Sequence, residues 1–142
     1  MPKKVLLVDD EEEFLEVMAE RMRARDMEVT TSTSATEALA MIASESYDAV
    51  IMDFMMPEID GIQAIKDIKG KKPETQIILL TGHATVQKSV EAMKAGAMDF
   101  VEKPADIDAL SEKIKQAHNK KAIIVEKKSQ DKIIEALRKF GM

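Results

Sequence analysis

The sequence predicts an α/β domain: a doubly wound sheet of five parallel strands with helices on both faces. Three observations lead there. Short apolar runs alternate through residues 4–117 with longer segments whose apolar residues recur at helical spacing. One run, Ala49–Asp53, is apolar up to its last residue, as a central strand buried on both faces must be, while 28–31 is more polar, as suits an edge strand. Four of the runs lead into polar residues, namely Asp9-Asp10, Asp53, Thr81 and Lys103-Pro104. In an open α/β sheet the carboxyl ends of the strands share one edge, and ligands bind there.

The elements follow in order. Lys4–Val8 is the first strand, and 12–25 a helix with Phe14, Leu15, Met18, Ala19 and Met22 on one face. After the edge strand 28–31, Ser34 or Thr33 caps a helix to about Ser44 that turns Ala35, Ala38, Leu39 and Ile42 inward. Strand Ala49–Asp53 runs into a loop marked by Pro57 and Gly61. A helix with Ile62, Ile65 and Ile68 inward then ends near Gly70. Pro73 precedes strand Gln76–Thr81. Helix 85–95 is expected to face inward through Val86, Val90 and Met93 and to stop at Gly96. Strand 98–102 leads to Asp106, which opens a helix containing Ile107, Leu110 and Ile114. Strands joined by helical crossovers fit the flavodoxin-like order 2-1-3-4-5, with right-handed connections. That order puts Asp9, Asp10 and Asp53 at the switch point, with Thr81 and Lys103 to one side.

Composition sets the outer bounds. The chain of 142 residues fits one core; 45% hydrophobic and 33% charged residues describe a soluble globular domain. No apolar stretch approaches the roughly 18 residues of a membrane span. No signal peptide is expected before the first strand. With no cysteine there is no disulfide or thiolate metal site, and a cytoplasmic setting is compatible. The net charge of −5 argues weakly against nucleic acid. It is unevenly spread: residues 118–142 carry seven Lys/Arg against three Asp/Glu, which leaves −9 on residues 1–117. Residues 1–119 are therefore taken as one domain and 120–142 as a basic helical extension or linker. Most of the eleven methionines are read as core packing, and His83 and His118 as ordinary surface residues.

Three converging carboxylates repel one another, and a divalent cation relieves that repulsion. Hard oxygen donors without Cys or His select Mg²⁺ over Zn²⁺. Asp53, at the end of a central strand, stands where a nucleophile would, able to form an aspartyl-phosphate. Lys103 and the metal would neutralise the transferring group, and Thr81 would hydrogen-bond one of its oxygens. A cis Pro104 would turn the ammonium back into the cleft. Singly, each residue has a plainer reading. Asp9-Asp10 fits a helix N-cap, Asp53 a loop cap, Thr81 a turn and Lys103-Pro104 a solvated loop. Their occurrence together at strand ends favours the cleft.

Four stretches carry a resemblance: Val5-Leu6-Leu7-Val8-Asp9-Asp10-Glu11, Asp53-Phe54-Met55-Met56-Pro57-Glu58-Ile59-Asp60-Gly61, Leu80-Thr81-Gly82-His83-Ala84 and Asp99-Phe100-Val101-Glu102-Lys103-Pro104. In this order they resemble the receiver domain of bacterial two-component response regulators. The resemblance implies that Asp53 accepts a phosphoryl group from a histidine kinase's phosphohistidine. It implies that Asp10 and Asp53 bind Mg²⁺ directly, Asp9 mainly through water, and that the Met55 carbonyl adds a ligand. Thr81 and Lys103 would engage the phosphoryl group, and Phe100, here Phe rather than Tyr, would turn inward as Thr81 moves. The changed surface of helix 85–95, strand five and the Asp106 helix would meet a partner or a second copy in a homodimer. An apolar Met55 cannot orient an attacking water, so the aspartyl-phosphate is not expected to be among the shortest-lived.

The tail 120–142 is too short for a further domain with its own core. It is either a helix that packs on the body or pairs with another subunit, or the linker of a longer transcriptional regulator, since Gly82-His83-Ala84 resembles receivers attached to ATPase-type activators. Two rival functions remain. One is a phosphatase working through an aspartyl-phosphate, which would need an acid where Met55 stands. The other is an unphosphorylated interaction module, against which the intact set of Asp9, Asp10, Asp53, Thr81 and Lys103 argues. A signalling phosphoacceptor rather than a turnover enzyme is the expected function.

Overall fold

The apolar runs become strands because each buries side chains on both faces of one sheet. In a computed structural model describing residues 2–82 and 86–141, the order is β1 (Lys4–Val8), α1 (Glu12–Arg23), β2 (Glu28–Ser32), α2 (Ala35–Ser44), β3 (Ala49–Asp53), α3 (Gly61–Lys71), β4 (Gln76–Thr81), α4 (Val86–Ala95), β5 (Asp99–Glu102) and α5 (Ile107–Lys139). All pairings are parallel, in the order β2-β1-β3-β4-β5. The predicted sheet is the observed one, with element ends moved by a residue or two.

The strand period of two divides the core. Leu6, Val8, Val50, Met52, Ile77 and Leu79 face α2 and α3, meeting Ala38, Ile42, Ala64, Ile65 and Ile68. Val5, Leu7, Ala49, Ile51, Ile78 and Leu80 face α1 and α5, meeting Leu15, Met18, Met22, Leu110 and Ile114. The caps are local. Ser34 accepts from the Glu37 amide, Asp60 from that of Ile62 and Asp106 from that of Asp108. After α4, Gly96 takes φ +120°, where a side chain would also strike the Lys69 stem. Met18, Met22, Met27, Met52 and Met56 are buried, in keeping with a packing role.

Two expectations need correction. On α4 the apolar stripe faces out: Val86, Val90 and Met93 are exposed, and the side against the core is made by the small Ala92. The expected first residue of that helix, Thr85, and His83 lie outside the described residues. Helix α5 continues unbroken to Lys139, past the last buried residue described, Ala117, so residues 120–139 extend it as a helix. His118 is no ordinary surface residue, because its Nδ1 lies 2.9 Å from Asp48 Oδ1. Lys121 adds a bond to Ser46 Oγ at 2.7 Å, and Lys128 pairs with Glu74 at 3.3 Å. The first part of the extension is thus tied to the base of the sheet by charge rather than by apolar packing.

Tyr47, the single tyrosine, is fully buried beside β3 and donates to Glu45 Oε2 at 3.0 Å. Burial, with the Glu45 carboxylate adding to it, pushes its hydroxyl up to about 12. An unfolded tyrosine titrates near 10. The unfolded chain therefore releases this proton first, and the contribution to stability, complete below about pH 10, is lost as pH rises toward about 12. With no tryptophan present, tyrosinate absorbance reports Tyr47 alone. A native-state midpoint near 10 would contradict its burial.

Candidate functional site

The sheet order reverses between β1 and β3, which opens a crevice beyond their carboxyl ends. Asp9 and Asp10 follow β1 and Asp53 closes β3. Carboxylate oxygens of all three lie within 4.8 Å of one another, Asp9 and Asp53 buried and Asp10 exposed. Asp9 Oδ1 accepts from the Glu11 amide at 2.9 Å, and Asp53 Oδ1 from the Met55 amide at 3.0 Å. Each bond fixes a tight turn and leaves the second oxygen, Oδ2, for the lysine. Asp9 and Asp10 are not helix caps: Glu11 is the N-cap of α1 and makes no side-chain capping bond.

Lys103 enters from β5, whose extension is held by the Lys103 amide donating to the Thr81 carbonyl at 2.9 Å. The Lys103–Pro104 peptide is cis, as expected. Lys103 Nζ lies 2.6 Å from Asp9 Oδ2, 3.6 Å from Asp53 Oδ2 and 3.4 Å from Glu11 Oε1. Burial raises the Asp9 pKa, with the Asp53 charge acting the same way, and this outweighs the lysine and the Glu11 amide. Burial depresses Lys103, but its pairing with Asp9, Asp53 and Glu11 outweighs that and holds it above the ordinary lysine value.

Asp9 Oδ2 is buried, and the nearby ammonium does not approach it along a hydrogen-bonding direction. Three converging carboxylates, two of them buried, with an Asp9 oxygen that lacks a well-directed hydrogen bond, fit a hard divalent cation. Such an ion binds only the folded chain, so at a hundredfold excess over its Kd it adds about 2.7 kcal/mol. Millimolar MgCl2 is expected to raise the melting temperature of the native chain. Asp10→Asn, which removes the exposed carboxylate of the set, is expected to lose most of that rise; an undiminished rise would remove Asp10 from the cation site.

Thr81, buried at the end of β4, and Phe100, level with Leu79 on β5, line a narrow void with Phe54, Lys88, Ser89 and Ala92. Its cavity volume is about 10 Å³, room for roughly one water. Phe100 stays outside, 36% exposed. The Met55 side chain is exposed, and its backbone amide bonds Asp53. The crevice thus brings together Asp9, Asp10, Asp53 and Lys103, with Thr81 and Phe100 on its flank. Sequence reasoning missed Glu11 and Phe14 as neighbours of Lys103. Their signal was present: α1 begins within two residues of Asp10, so its first turn must border the crevice.

A switch-point crevice of paired acids, a strand-end aspartate and a facing lysine defines a protein that can handle a phosphate group. Residues 5–115 match the response regulator receiver domain family, and the chain belongs to it. The transcriptional regulatory protein ZraR of Salmonella typhimurium is 35% identical over 113 residues, covering 80% of this chain and 26% of ZraR. The chain spans about a quarter of the length of such relatives. A response regulator receiver domain protein from Clostridium thermocellum superposes with a TM-score of 0.81 at 34% identity, covering 86% of this chain and 98% of that one. A response regulator protein from Burkholderia pseudomallei, described with a phosphorylated aspartic acid and a calcium ion, superposes at 0.75 with 26% identity, covering 88% and 72%.

Proposed function

We propose that this chain is a phosphorylation-controlled switch in which Asp53 is the phosphoacceptor. The observation that carries the reading is the convergence of Asp9, Asp10 and Asp53 on one point with Lys103 Nζ facing two of them. A carboxylate oxygen of Asp53 attacks the phosphorus of a histidine kinase's phosphohistidine. A P–O bond forms as the P–N bond breaks, and the imidazole leaves and regains a proton. Asp9, Asp10 and Asp53, with the Met55 carbonyl, would hold Mg²⁺, which when bound offsets negative charge on the phosphoryl oxygens. Lys103 neutralises the same oxygens from the other side, and Thr81 donates its hydroxyl to one of them.

A shift of Thr81 toward the phosphoryl group enlarges the void behind it, and Phe100 moves in, biasing an equilibrium between two packings. The readout surface is α4, β5 and the start of α5, where Val86, Val90, Met93 and Phe100 are exposed together. It suits a downstream partner or a second copy. Residues 1–119 act as the receiver, and 120–142 as an extension that leads away from it or pairs with another subunit. The share of ZraR covered favours a second reading, the receiver portion of a longer transcriptional regulator. A cytoplasmic setting follows from the kinase partner; among the described residues no helix is long and apolar enough to cross a membrane. The chain signals by its phosphorylated state and does not turn over substrates.

The test is incubation with phosphoramidate and Mg²⁺ followed by mass spectrometry. A single phosphoryl adduct on Asp53 is expected, with no steady release of p-nitrophenol from p-nitrophenyl phosphate. Steady release would point instead to a hydrolase.

A further inference from the structure

Among the described residues the Lys103 ammonium meets four groups, and three of them are carboxylates whose attraction depends on what else sits in the crevice. The fourth is the ring of Phe14, whose centroid lies 4.7 Å from Nζ. A divalent cation among Asp9, Asp10 and Asp53 offsets most of the charge that draws the ammonium from that side. Glu11 is well exposed, so water and salt screen its pull. The ring differs from both. Its quadrupole attracts an ammonium whatever the state of the acids, and it offers no lone pair that would compete with a phosphoryl oxygen. The ring is itself held in place, half-buried in the first turn of α1 against the core of α1 and α5.

We propose that Phe14 is a positioning residue for phosphoryl transfer: its face keeps the Lys103 ammonium at the mouth of the crevice once the acids are neutralised, in reach of the incoming phosphoryl oxygens. The inference rests on the role given to Lys103 above. A merely structural Phe14 would serve as well with any apolar side chain of similar size. A positioning Phe14 needs an aromatic face.

Three variants and one spectroscopic signature test this. In the native protein, free of metal, the protons on Lys103 Cε are expected upfield of the random-coil lysine position, through the Phe14 ring current. Phe14→Leu is expected to abolish that shift and to slow phosphoryl uptake from phosphoramidate by about three- to tenfold, with the Mg²⁺ Kd unchanged within about twofold. Phe14→Tyr, which keeps the face, is expected to recover the shift and most of the lost rate. Random-coil Lys103 Cε protons in the native protein would overturn the proposal without any variant, so it stands or falls even if Phe14→Leu does not fold. Equal uptake rates for Phe14→Leu and the native protein would also overturn it. Lys103→Gln separates the two levels: undiminished uptake there, with the native ring-current shift present, would refute the role of Lys103 itself rather than the placement of the ring.

Discussion

Asp53→Asn is expected to take up no phosphoryl group from phosphoramidate, its rate falling by more than roughly a thousandfold, as for loss of a covalent nucleophile. The substitution is nearly isosteric. The amide oxygen can still accept from the Met55 amide, as Asp53 Oδ1 does at 3.0 Å, so the turn after β3 is retained. What disappears is the anionic oxygen facing Lys103 at 3.6 Å, and an amide is a poor nucleophile toward phosphorus. Lys103 keeps its shorter contact with Asp9 at 2.6 Å, so the crevice does not collapse. Asp10→Asn is the useful contrast: it weakens cation binding, and saturating Mg²⁺ is expected to restore part of its uptake, because the nucleophile is intact. Uptake by Asp53→Asn at a native rate would place the acceptor elsewhere and end the functional reading.

The second large effect is on stability. Ile51→Ala in β3 is expected to cost about 2–5 kcal/mol, a large share of the roughly 5–15 kcal/mol that holds such a domain folded. Ile51 is fully buried, flanked in register by Leu7 and Ile78, and packed into the side of the core shared with α1 and α5. Strand neighbours cannot close the hole without breaking the ladder, so little relaxation is available. Urea unfolding should show a lower midpoint with an unchanged slope. Val17→Ala, on the exposed side of α1, should stay within about 0.5 kcal/mol. A loss below about 1 kcal/mol for Ile51→Ala would mean that β3 is not the centre of the core.

The strands were legible because a residue buried on both sheet faces leaves a composition signal, and Ala49–Asp53 and Gln76–Thr81 carry it through nearly every position. The crevice was legible because strand ends in a parallel sheet are forced to one edge, so Asp9, Asp53, Thr81 and Lys103 needed only the strand order to be brought together. Helix α4 was misread for a physical reason. Val86, Val90 and Met93 form an apolar stripe, and periodicity says that a stripe is covered without saying by what. The body covers only the small-residue side, and the stripe stays exposed.

For the tail the sequence left a helical extension and a linker both open. Its charge marks a change of surroundings at about residue 118, and the helix passes through that change without a break because no Gly or Pro interrupts it before Phe140. Its fastening was invisible, since His118, Lys121 and Lys128 meet Asp48, Ser46 and Glu74, residues 54 to 75 positions away.

By itself the sequence determined the strand order and the identity of the acids and lysine at the crevice, because burial and strand-end position are written one residue at a time. Only the tertiary structure decided which face of α4 is bare, where α5 is tied down and that Phe14 lies beneath the Lys103 ammonium. Those depend on distances between side chains far apart in the chain, and no local pattern encodes a distance of that kind.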